Sequence, residues 1–445
     1  MTTVTPTSAL PGESLPRWDV SKIFSSLEGN DYRAAFSELE AALADFEAFC
    51  DVNGIRRLSD PVDLLNSDAM LRLRDVLTTA LQQANNMARQ YETLEAFIYA
   101  FYSTNSYDAI AGRETSRLEV LETRRQQLAV RLKGWIGSLG DILDELIPGE
   151  PVLAEHAFFL RDTAEQSRFL MSEPLEALAS ELALDGGSAF SKLQGNVTSQ
   201  LKVSWEQNGR VEALPITVIR NLSFDHDPAV RKRAYEAELQ GWASIRTTVA
   251  ACLNGVKGTA ATLAKRRGWP SVLDAALEQN RIDRPTLDAL LGTIREAFPL
   301  FRRYLRAKAQ KLGQSQLAWW DLFAPVGAAQ RVFTWPEATN FIVEKFGSFS
   351  GELGAFAQRS FDESWIDAEP RDGKRGGAFC MPVVGADESR VLMNFDGSFE
   401  QVSTLAHELG HAYHNECQSG LPPLRRGAPS TLAETASIFC ETLIA

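Results

Sequence analysis

A mainly α-helical, multi-helix protein with a small β region is what this sequence predicts, and three observations carry that reading. From Tyr32 to about Leu170 apolar residues recur at helical spacing, as in "YRAAFSELEAALADFEAF" and "LRLRDVLTTALQQANNMARQYETLEAFIYAFY". After Asp225 the same periodicity returns in "PTLDALLGTIREAFPLFRRYLRAKAQKLG" and "WPEATNFIVEKFGSFSGELGAFAQRSF". Between and after these lie only short β-prone runs.

The opening "MTTVTPTSALPGESLPRW" has no basic n-region and no apolar h-region, so residues 1–20 read as a disordered lead and not a signal peptide. Residues 21–200 read as an N-terminal helical domain whose role is scaffolding. Residues 201–445 read as a second domain that carries the chemistry. At its start, Leu201 to Trp205 alternate in β-prone fashion, Asn208-Gly209 signals a turn, and a second β-prone run follows Pro215. A hairpin is the expectation. Further on, "SWIDAEPRDGKRGGAFCMPVVGADESRVLMNFDGS" holds one good strand, Val391 to Phe395, read as an edge strand able to bind an extended peptide through its main chain.

Composition narrows the partners. With 45 Lys and Arg against 58 Asp and Glu, the net charge is −13, and no long basic run interrupts the excess. Nucleic acid and anionic membrane are excluded as expected partners, and no apolar run approaches membrane-spanning length. The five cysteines are odd in number, widely spaced and free of CxxC pairs, which suits a reducing cytoplasm.

The chain has five histidines, and three of them, His407, His411 and His414, fall within "TLAHELGHAYHNE". Ser398 followed by Gln401 starts a helix there, and Gly420 with Pro422 and Pro423 stops it. His407 and His411 are four apart, so both side chains rise from one face about 6 Å apart along the axis and can converge on one ion. Glu408 sits about 100° around the helix, placed to address a water without ligating the ion. Val402, Leu405, Ala406, Leu409 and Ala412 bury this helix, so unpaired polar groups on it would be costly. Gly410, costing about 1 kcal/mol against alanine in mid-helix, implies that something approaches the backbone closely.

A catalytic zinc site needs a third protein ligand. Glu434 is the candidate, 434 − 411 = 23 residues after His411 in "TLAETASIFCETLIA". Thr431-x-x-Glu434 is also a capping-box pattern, so two readings stand: Glu434 as ligand, or Glu434 as cap of its own helix. Glu441, seven residues on, shares its face and suits a partner that holds a histidine ring. His414 has a substrate-contacting or supporting role on one reading and a structural one on the other. Cys417 and Cys440 are expected to be buried and inert. His156 and His226 lack acidic or cysteine partners at ligand spacing and read as structural or solvated.

"HELGHAYH" followed by "LAETASIFCE", with "KLGQSQLAWWDLFAP" and "WIDAEPRDGKRGGAFC" before it, resembles the oligoendopeptidase F branch of the thimet oligopeptidase family, from about Pro16 to the last residue. The resemblance implies an elongated zincin-type metallopeptidase with one zinc on His407, His411 and Glu434, Glu408 as general base, and short peptides as substrates. It also implies a deep channel that admits peptides and excludes folded proteins. Family members continue beyond the equivalent of Ala445 with histidine and tyrosine residues that bind the oxyanion and substrate. The expectation is therefore a C-terminally incomplete zinc endopeptidase, with a catalytically impaired, zinc-stabilised peptide-binding or scaffold protein as the alternative. Such a chain is expected to cleave slowly and to expose apolar surface on the helix carrying Leu443 and Ile444.

Overall fold

Three long helices, α1 (Asn30–Val52), α2 (Ser67–Thr104) and α3 (Ala109–Leu139), pack on one another to make the first of two large cores. The computed structural model describes residues 14–59, 67–207, 209–327 and 332–445. On α1, Tyr32, Phe36, Leu39, Leu43 and Phe46 are all buried, the i, i+3/i+4, i+7 stripe that the sequence predicts. Asp108 starts α3 by accepting hydrogen bonds from the N–H groups of Ile110 and Ala111. No helix of the described residues is long and apolar enough to cross a membrane.

The hairpin forms, with a different second strand from the one expected. β1 (Lys202–Gln207) pairs antiparallel with β2 (Arg210–Pro215). The run after Pro215 is instead a short helix, Ile216–Asn221. Gln207 pairs with Arg210, so a two-residue connection fixes the register, and β1 meets the chain before Pro215. Gly209 has φ +74, as such a turn requires, while Asn208 lies outside the described residues.

The second core contains helices Trp335–Phe349 and Gly351–Asp362, a three-stranded sheet and the last two long elements of the chain. The sheet order is β3 (Ile366–Asp367), β5 (Glu388–Leu392), β4 (Phe379–Val383), with β3 parallel and β4 antiparallel to β5. The strand expected at the edge is therefore central. Val391, Leu392, Met393 and Asn394 are all buried, as a strand covered on both faces must be. The edges belong to β3 and β4.

Of the expected loose lead, residues 1–13 lie outside the described residues, but residues 14–20 are docked. Leu15 is buried in the second core, Pro16 O accepts from Ala368 N (2.9 Å), and Asp19 N donates to Ser364 O (2.8 Å). The glycine-rich segment before β4 is anchored just as firmly. Lys374 is fully buried and its ammonium donates to the Asp367 carboxylate (2.6 Å) and to the carbonyls of Asp367, Glu369 and Met393. Arg371 makes two further bonds to Asp367 (2.7 and 2.8 Å).

Removing the shared carboxylate would leave a buried ammonium without its counter-charge. Asp367→Ala should lower unfolding stability by about 3–5 kcal/mol in urea titrations. An effect below about 1 kcal/mol would show that the carbonyls alone satisfy Lys374.

Candidate metal centre and cleft

The helix Phe399–Cys417 carries the histidines, and its start is built locally: Ser398 Oγ accepts from Gln401 N (3.3 Å) and Asp396 accepts from Ser398 N (2.9 Å). Val402, Leu405, Ala406, Leu409 and Ala412 are buried on one side, which turns His407 and His411 toward a cleft. Their rings stand nearly perpendicular, 82° between planes, with centroids 5.0 Å apart.

Gly410 faces the terminal helix Thr435–Ile444. A Cβ at this position would lie 2.5 Å from Ala436 O and 2.6 Å from Ser437 Cα, so only glycine lets the two backbones come this close. The crossing delivers Glu434, which lies between Ser430–Ala433 and the terminal helix. Its Oε2 is 3.1 Å from His407 Nε2 and 3.2 Å from His411 Nε2. Ser437 Oγ donates to the same carboxylate oxygen (2.8 Å), and this hydrogen bond is the main reason the Glu434 carboxyl titrates below its ordinary value. The capping alternative does not form. Thr431 Oγ1 donates instead to Asn280 O (2.8 Å), and Glu434 makes no side-chain cap bond.

One helical stretch further on, Glu441 Oε2 stands 3.3 Å from His407 Nδ1, while Ser403 Oγ donates to Glu441 Oε1 (3.3 Å). A carboxylate at Nδ1 favours the Nδ1–H tautomer, which leaves the Nε2 lone pair pointing at Glu434 Oε2. Two acceptors then face each other at close range, an arrangement completed by a cation. Ligand atoms of His407, His411 and Glu434 all lie within 4.8 Å of one another. Burial holds the His411 imidazole below its ordinary pKa, which favours the neutral, ligating form.

Glu408 is 5% exposed, and its Oε2 has no hydrogen-bond partner among the described residues. Burial first, and the Glu434 charge second, push its carboxyl up to about 7. Such a group is poised to exchange a proton. His414 lies in the same cleft but outside the three-residue group, with Nε2 3.2 Å from Gln418 Nε2. His156 is structural, its Nδ1 2.8 Å from Val152 O and its Nε2 2.9 Å from Asn85 Nδ2. Cys440 is buried as expected, whereas Cys417 is exposed.

The cleft is open to solvent and has a volume of about 420 Å³. One wall is Ala378 with the edge of β4 that follows it, including Phe379, Cys380 and Pro382. Val391 N donates to the O of Trp365, just before β3, so the facing pair Cys380–Val391 is not hydrogen-bonded. The main-chain N–H and C=O of Cys380 consequently point away from β5. Cys380 and Arg426 both line the cleft, and neither stood out in the sequence, because loops and a strand distant from the histidines bring them there.

A profile described as peptidase family M3 matches residues 222–445, half of the chain, and one described as oligopeptidase F matches residues 140–202. The chain belongs to peptidase family M3. Within that family it falls in the oligoendopeptidase F branch. Oligopeptidase PepF of Bacillus subtilis is 26% identical over 309 residues, covering 68% of this chain and 46% of that protein. An oligoendopeptidase F homolog of Lactococcus lactis subsp. lactis is 23% identical over 437 residues, covering 96% of this chain and 69% of the relative. The chain thus spans about half the length of the Bacillus relative. Among solved structures, oligoendopeptidase-F from Enterococcus faecium superposes with a TM-score of 0.60 at 17% identity, over 93% of this chain and 66% of that one. PZ peptidase A, solved with an inhibitor, gives 0.66 at 14% identity, over 97% and 69%. Both share the fold.

The terminal helix does expose apolar surface, at residues other than Leu443 and Ile444. Ile444 is 3% exposed and Leu443 packs against the second core; the apolar residues this helix exposes are Ile438 and Phe439.

Gly410→Ala should lower stability by about 1–3 kcal/mol, because overpacking against backbone exceeds the gain of up to about 1 kcal/mol in helix propensity. Denaturant titration of the two proteins checks this, and a variant as stable as the parent would contradict the close crossing.

Proposed function

We propose that the chain is a zinc-dependent endopeptidase that hydrolyses internal bonds of short peptides, with His407, His411 and Glu434 as zinc ligands and Glu408 as general base. The observation that carries the reading is the position of Glu434 Oε2, within 3.2 Å of both Nε2 atoms, in a cleft also lined by Glu408, whose buried Oε2 has no partner among the described residues. Two imidazoles and a carboxylate, with one imidazole backed by a second carboxylate, are a donor set that suits zinc and leaves room for water. When bound there, zinc supplies a Lewis acid that polarises a carbonyl and acidifies water.

The remaining work falls to the chain's own groups. Glu408 takes the proton of the attacking water at Oε2 and passes it to the leaving nitrogen, a task matched to a carboxyl lifted by burial. Glu441 fixes the His407 ring through Nδ1. The Cys380 main chain, without a partner on the outer edge of β4 among the described residues, pairs with an extended peptide as an added strand. Such pairing reads backbone and not side chains, which suits a peptidase of broad substrates. In this reading residues 201–445 carry the chemistry, and residues 21–200 form the helical body behind it. All five cysteines are free, as suits a reducing compartment such as the cytoplasm.

Metal analysis after zinc loading should give about one zinc per chain. Glu408→Gln should keep that zinc while losing essentially all hydrolysis of a quenched fluorescent peptide. Glu434→Ala should lose the zinc. Equal metal content in the two variants would show that base and third ligand are wrongly assigned.

A further inference from the structure

Besides the metal-centre side chains, the cleft wall carries a formal cation, Arg426, with a side chain only 12% exposed. A guanidinium has five N–H donors. Arg426 uses two within the protein: Nε to Leu421 O (2.9 Å) and Nη2 to Asp387 Oδ1 (3.0 Å). The other donors have no acceptor among the described residues. Asp387 is in the left-handed region, φ 49, in the turn between β4 and β5, a backbone state that aspartate tolerates better than most side chains. Glu92 on α2 also lies in the field of Arg426, and burial raises its carboxyl above the ordinary value.

The backbone under Arg426 is held from the other core. Leu424 packs against the first helical core, its N–H donates to Asn85 Oδ1 (3.0 Å), and Asn85 is itself fixed by His156 (2.9 Å). Arg425 pairs with Glu155 (2.9 Å). Arg426 is thus preorganised, as a recognition group must be if little entropy is to be lost on binding. Its partner Asp387 follows the C-terminal end of β4, so Arg426 stands at one end of the strand edge that lines the cleft and the metal centre lies along it.

We propose that Arg426 is a specificity-determining residue whose free guanidinium donors bind a carboxylate of the peptide lying along β4. The proposal rests on the peptidase reading and adds to it a charge preference. The carboxylate comes from an acidic side chain or from the peptide's own C-terminus; both present the same planar acceptor pair to the same fork.

Three sets of internally quenched peptides test it on the zinc-loaded full chain: a neutral parent with an amidated C-terminus, the same peptide with a free C-terminus, and amidated versions with one Glu moved along the sequence. Binding of the same peptides, labelled, to the Glu408→Gln protein by fluorescence anisotropy gives a readout independent of turnover. At least one carboxylate peptide should show KM and Kd lower than the parent's by about tenfold to a hundredfold, as for a hydrogen bond to a charged group. Arg426→Gln should erase that difference, and Arg426→Lys should restore part of it. Preference for the free C-terminus identifies one source, and preference for Glu at one position identifies the other. Cleavage of the parent without any carboxylate preference, or an Arg426→Gln variant that weakens all peptides alike, would overturn the assignment while leaving the peptidase reading intact. No binding or cleavage of any peptide would overturn both.

Discussion

The contact on which the site depends is the crossing of two helices at Gly410. No side chain separates the helix Phe399–Cys417 from the backbone of Ala436 and Ser437. That proximity brings both carboxylates of the second helix to the histidines of the first: Glu434 at its beginning reaches both Nε2 atoms, and Glu441 two turns later reaches His407 Nδ1. Glycine in mid-helix costs about 1 kcal/mol relative to alanine. Burial of Cys440 and Ile444 in the core shared with Leu405, Leu409 and Ala412 offsets it.

Around this crossing the protein accepts local costs that a purely structural core would avoid. Glu408 is buried with an oxygen that no donor among the described residues satisfies, and two carboxylates, Glu434 and Glu441, stand against the imidazoles. An unsatisfied buried acceptor costs about 1–3 kcal/mol, which the rest of the domain must supply. The supply is visible nearby. The central strand β5 is buried on both faces, and the Asp367–Lys374–Arg371 cluster ties the glycine-rich segment leading into β4 to it.

Much of this was legible in the sequence because the information was local. The four-residue interval of His407 and His411, the apolar stripe beside it and the anomalous Gly410 all follow from helical periodicity, and α1 shows its buried stripe residue by residue. What local reasoning missed was set by tertiary partners. Val391 to Phe395 reads as a half-exposed strand until β3 and β4 flank it, and "ITVI" after Pro215 has β propensity that the hairpin register overrides. The helix Arg284–Lys311 has a strong apolar stripe, yet Leu290, Ile294, Phe298 and Phe301 are exposed. Periodicity predicts that a face is apolar and cannot say what covers it. Cys380 and Arg426 reach the cleft only through strand order and a loop pinned to the first core.

The central claim is that this crossing builds one metal site from two imidazoles and one carboxylate. Zinc-edge X-ray absorption of the loaded chain tests it most directly. The account predicts a four- to five-coordinate centre with nitrogen and oxygen donors at about 2.0–2.2 Å and an imidazole scattering pattern of two rings. A sulfur shell near 2.3 Å, or an all-oxygen shell without imidazole scattering, would place the metal on other residues and contradict it.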